Sequence, residues 1–215
     1  MRTGWDKPAT ASMPDTGGSE GVRRAGGGSG GDPPQPDAAS APSRMRLQTR
    51  TMSLKDTLLA EFDHEMGTTR KLLERVPDEK LSWKPHDRSM SMGGLATHLA
   101  NLPHWGGTIL NEPFFDLAAA PPNLPEKTSR ADILKAFDET AKQTRAWLDK
   151  SDPELLAPWA LKRGGQEMFS MPRVAAFRSF VLYHTVHHRG QLSVYLRLNN
   201  VPVPAIYGPS ADEGM

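Results

Sequence analysis

Three histidines carry the chemistry that this chain's side chains can offer. His184 and His188 stand four residues apart. A helix rises about 1.5 Å per residue and places i and i+4 on one face, so the two rings project together about one turn apart. Imidazoles placed this way can share one divalent ion. Both fall within a 3-4-3-4 rhythm of Val174, Phe177, Val181, His184, His188, Gln191, Tyr195 and Leu198, which predicts that they face a core. His98 repeats the pattern on a second stripe with Leu95, Leu102, Trp105 and Ile109. Buried polar groups without partners cost about 1–3 kcal/mol each. Backbone carbonyls can satisfy such rings one at a time, whereas a divalent metal satisfies all three at once.

Other side chains near these stripes have narrower roles. There is no H-E-x-x-H, because Thr185, Val186 and His187 separate the pair, and this disfavours a zincin protease. His187 lies about 100° around the helix from His188 and is expected to face outward or to touch the ligands from behind. Gln191 is a candidate partner for a ligand's second ring nitrogen. Arg189 reads as a substrate clamp or as part of a solvated face. His64 falls off its helical stripe and is expected to be solvated, while Glu65, nearer the seam, is a candidate fourth ligand or base. His86 and His104 read as surface or rim residues.

Composition narrows the classes. The 215 residues carry 26 Lys+Arg against 25 Asp+Glu, so no strong field exists to hold phosphates, and neither a nucleic-acid partner nor direct DNA repair is expected. With no cysteine, the chain has no disulfides, thiolate metal ligands or cysteine nucleophile of its own. Any metal must sit on His, Asp or Glu. The absence of an apolar run of about 18 residues argues against a membrane span, and the first residues show no secretory apolar stretch. A cytoplasmic protein is the expectation.

The elements that would position the histidines begin near Met52. Residues 1–51 hold nine of the 19 glycines and few large apolar side chains, so they read as a disordered tail or an over-extended start. Their Gly26–Gly31 run fits G-x-G-x-x-G and G-x-S-x-G formally but lacks the flanking strand and helix. Ser53 with Asp56 opens a first helix along Leu54, Leu58, Phe62, Met66, Leu73 and Val76, ending by Pro77. The His98 stripe is a second helix, kinked at Pro103. Ser129 with Asp132 opens a third, through Ile133, Phe137, Thr140, Thr144 and Leu148. A loop is expected at Lys162–Gly165, and the fourth helix is expected to start at Ser170 and Pro172 and to end at Asn199-Asn200. With no convincing strand alternation, the reading is an all-α four-helix bundle over residues 52–215, with a long crossover connection at about 111–128.

The string from His184 to Gln191, the isolated His98 in Leu95-Ala96-Thr97-His98-Leu99 and the tail Ile206 to Glu213 resemble the DinB/YfiT-like family of metal-binding four-helix bundles, over about Ser53 to Met215. The resemblance implies a metal triad on His98, His184 and His188, a divalent ion, most often nickel or zinc, and a homodimer. Some members of that family use a low-molecular-weight thiol to transfer or isomerise small molecules. Three imidazoles leave coordination positions open, which suits a metal-dependent enzyme: a thiol S-transferase acting on small electrophiles, or a hydrolase. The alternative is a non-catalytic stress-response or binding module in which the metal is structural.

Overall fold

Ser53 starts the first helix by a reciprocal cap. Its Oγ accepts from the Asp56 N–H at 3.1 Å while the Asp56 carboxylate accepts the Ser53 N–H at 3.4 Å. The computed structural model describes residues 52–120 and 125–214; the expectations for residues 1–51 and for residues 121–124 of the crossover lie outside the described residues. Helix α1 (Leu54–Leu73) buries Leu58, Phe62, Met66 and Leu73, with Val76 closing the stripe before Pro77. Helix α2 (Met92–Asn101) is capped by Ser91, whose Oγ accepts from the Gly94 N–H at 2.8 Å. Pro103 supplies no N–H, and the helix tightens into a 3₁₀ turn (Leu102–His104) before resuming as α3 (Trp105–Asn111). Helix α4 (Arg130–Trp147) starts at Ser129, as its spacing from Asp132 implies, and α5 (Asp152–Leu156) is one short turn.

The chain is helix-rich, but it is not strictly all-α. A three-stranded sheet runs in the order β1-β2-β3: β1 (Phe114–Asp116) pairs parallel with β2 (Pro158–Arg163), and β2 pairs antiparallel with β3 (Gln166–Pro172). The expected loop at 162–165 is instead the tip of a hairpin. Gly164 and Gly165 both take positive φ, 59° and 82°, which a tight two-residue turn requires. Alternation is no guide to β1 or β2, since β2 buries Trp159, Ala160 and Leu161 in succession and β1 has only three residues. The Asp116 carboxylate accepts the N–H groups of Gly164 and Gly165 at 2.8 and 2.7 Å, fastening β1 to the turn. Ser170 therefore lies in β3, donating to the Trp159 carbonyl at 3.2 Å, and does not cap a helix.

The last helical rod is built from α6 (Arg173–Phe177), a π-helical turn (Arg178–Tyr183) and α7 (His184–Leu198), and Asn200 ends it with φ 57°. α1 packs on α4 and α7, and α2 packs on the same two, so the rods run α1, α4, α2, α7 around one core. Successive helices are thus not always neighbours, in keeping with a crossover rather than a run of simple hairpins. Beyond Asn200 the chain folds back and is clasped. Asp212 accepts from Arg197 and from the Val203 N–H, and Glu213 from Arg75 and from the Ala205 N–H.

Candidate metal centre

The π turn decides how α7 presents its histidines. Val174, Phe177 and Val181 are buried as their spacing predicts, but the core then continues on Thr185, Arg189, Leu192 and Leu196. That is one residue later than the 3-4-3-4 rhythm of the sequence places it. A π turn accommodates one extra residue, and this shifts the phase of everything after it. His184 and His188 consequently stand half-buried at the margin of the core rather than inside it, Gln191 is exposed and Leu198 is 59 % exposed. His98, half-buried among the otherwise buried residues of α2, meets them from the facing helix.

The three rings converge through their Nε2 atoms. Nε2 of His184 lies 2.9 Å from that of His188 and 3.4 Å from that of His98. Together they form a group of three ligand atoms that could hold a metal ion. Two metal–nitrogen bonds of about 2.1 Å at octahedral to tetrahedral angles separate their nitrogens by about 3.0–3.4 Å, so the spacing suits one ion. The outer contacts agree with this. Nδ1 of His188 donates to Gln191 Oε1 at 2.7 Å, and the Phe180 carbonyl one turn back favours the protonated form of His184 against its burial. With its Nδ1 proton donated to Gln191, His188 turns a lone pair on Nε2 toward Nε2 of His184 at 2.9 Å, the state in which a ring can bind a cation. Burial lowers the pKa of His98 to about 4, helped by the neighbouring His188 and His184. Burial likewise lowers His184, with His188 and His187 adding to it, and lowers His188 against the opposing pull of Gln191. All three are neutral near pH 7, the form in which imidazole binds metal.

The other candidates raised by the sequence fall elsewhere. Glu65 is not part of the group: its carboxylate lies 2.7 Å from Arg189 and accepts the Tyr207 hydroxyl at 2.9 and 2.8 Å. His64 is exposed and stacks on Tyr207, and His86 and His104 are exposed. His187 is exposed beside His188, as expected. Arg189 is a correction. It is neither a clamp nor a solvated residue but 1 % exposed, bonded to the Glu65 carbonyl, Thr69 Oγ1 and Tyr207. The one-residue shift at the π turn carries it inward, into phase with Leu192 and Leu196.

A helix-rich fold with a small sheet and a three-histidine group on facing helices defines a class of candidate metal-binding proteins. The chain belongs to the DinB family, whose sequence profile matches residues 48–214. It is 26 % identical over 163 residues to YrdA of Bacillus subtilis (strain 168), described as an uncharacterized protein, spanning 74 % of this chain and 90 % of that one. Its fold is similar to that of a DinB-like protein from Bacillus cereus ATCC 10987, with a TM-score of 0.56 and 23 % identity over 72 % of this chain and 98 % of the other. A DinB-like protein of Bacillus subtilis, YjoA, gives a TM-score of 0.54 and 21 % identity over 74 % and 99 %.

Proposed function

We propose that the chain is a metal-dependent enzyme holding one divalent ion, nickel or zinc, on His98, His184 and His188, and that it transfers a low-molecular-weight thiol to small electrophiles. The convergence of three neutral Nε2 atoms with no carboxylate among them carries the reading, because it leaves coordination positions for a second molecule. A bound divalent ion supplies the positive charge that turns a thiol into a thiolate near neutral pH. In the transfer the thiol's proton passes to solvent water, its sulfur bonds to the electrophilic carbon, and the leaving group departs with its bonding pair. The protein's own part is positioning. Gln191 and the Phe180 carbonyl hold the rings of His188 and His184, and the half-buried margin leaves the group reachable. Glu65 is not the base, since Arg189 and Tyr207 occupy its carboxylate.

Elemental analysis of untagged protein, followed by a screen for thiol-dependent conjugation, tests this. Stoichiometric metal with turnover that a chelator abolishes while the fold persists supports the enzyme. Unfolding on chelation would favour the structural-metal alternative, and a metal-free protein would overturn both. Because the apolar core closes on Leu58, Phe62, Leu99, Phe137 and Phe177 without the histidines, the fold is expected to survive chelation.

A further inference from the structure

Gln191 touches two histidines at once. Its Oε1 lies 2.7 Å from Nδ1 of His188, and its Nε2 lies 3.2 Å from Nε2 of His187. An amide oxygen only accepts and an amide nitrogen only donates, so this orientation demands a proton on His188 Nδ1 and a lone pair on His187 Nε2. His188 must then direct a lone pair from Nε2 toward His184 and His98, which is the state a cation requires.

A half-turn of the amide reverses every assignment. The NH₂ would face His188 Nδ1, which must now accept, and the ring proton would move through water to Nε2. The 2.9 Å contact with His184 would become an Nε2–H···Nε2 hydrogen bond, satisfying both rings and closing two of the three donor atoms. His187, whose Nε2 would now face the amide oxygen, would make the same exchange from Nδ1–H to Nε2–H, with no change in net charge. The choice therefore rests with His188 and with the side chain that faces its Nδ1.

We infer that the Gln191 amide is a two-position switch that selects the ring tautomer of His188, and that it thereby opens or closes the three-histidine group to a cation. The inference rests on the proposed function for its metal but concerns positioning residues of this chain. Outer partners of metal-bound histidines change affinity by about 10–100-fold when removed. Here the partner differs from a carboxylate in that it can turn to either face.

The test pairs metal competition with ¹⁵N spectra of the histidine rings in metal-free protein. Gln191→Glu, which can only accept, should fix the Nδ1–H tautomer of His188 and tighten nickel and zinc binding by about tenfold. Gln191→Leu should let the Nε2–H tautomer accumulate and weaken both ions by about 10–100-fold, with unchanged melting temperature because Gln191 is exposed. His187→Ala removes only the far partner and should weaken binding by less than Gln191→Leu. Tautomer populations that ignore both Gln191 variants, or affinities within twofold of the parent for both, would overturn the switch. A parent chain that takes up neither ion would end the proposed function, while the metal-free spectra would still decide this inference.

Discussion

The two long seams of the molecule handle polar groups in opposite ways. Where α1 meets α4, three ion pairs cross the surface: Lys55–Asp149 at 2.9 Å, Asp63–Arg145 at 2.8 Å and Arg70–Asp138 at 2.8 Å. Each of these six charges has an opposite partner and lies at the surface over an apolar layer. Where α2 meets α7, three imidazoles face one another half-buried, two of them with Nε2 atoms only 2.9 Å apart. The first seam is complete by itself; under the proposed function the second is complete only with a cation. Stability and ligand binding are then separable by seam, and substitutions should move one without the other.

The largest effect is expected from the apolar layer of the first seam. Phe137→Ala removes a ring that is 1 % exposed and should cost about 3–5 kcal/mol in urea unfolding, with metal still bound by the folded fraction. Loss of metal affinity in proportion to stability would break the separation. On the second seam, His188→Gln should lower metal affinity at least a hundredfold, or about 2.7 kcal/mol, yet leave the unfolding midpoint of the metal-free protein within the spread of surface substitutions. Collapse of that midpoint would show the rings to be core residues.

Acid should affect the seams in different windows. A histidine whose folded pKa is depressed binds its proton more readily when unfolded, so acid favours unfolding. The three imidazoles should thus contribute fully above about pH 6.5 and progressively less toward pH 4, where His98 itself titrates. Asp149, held below the usual carboxylate range first by its hydrogen bond to Lys55 and then by that charge, should lose its contribution only below about pH 4. Melting temperatures of metal-free protein from pH 7.5 to 3 should fall in two stages, and a single fall confined below pH 4 would remove the histidine stage. The smallest effect is Arg145→Ala. Its pair with Asp63 is exposed, so the unfolding midpoint should stay within the spread of other surface substitutions, with metal affinity unchanged in the same competition assay.

Much of this contrast is legible in the residues. Ser53 with Asp56 and Ser129 with Asp132 mark two helix starts, Pro103 marks the break in the second rod, and the spacing of His98, His184 and His188 points to the rings that converge. These are local signals, in which a side chain's chemistry acts within one or two turns. The sheet escapes such a reading because its longest buried run, Trp159 to Leu161, does not alternate and its first strand is three residues long. The π turn escapes because no residue type between Arg178 and Tyr183 announces it; only the later core shows that the helix has slipped by one. Arg189 sits inside rather than on the surface, in phase with Leu192 and Leu196.

The group behind His184 that counters its burial is a main-chain oxygen, that of Phe180, and every amino acid supplies such an oxygen. Position 180 can therefore change identity over evolutionary time without losing the contact, provided the backbone keeps its wide turn. Half of the scaffolding behind the histidine pair is thus invisible to residue-by-residue comparison and is inherited as shape, while the other half, at Gln191, is written in a single side chain.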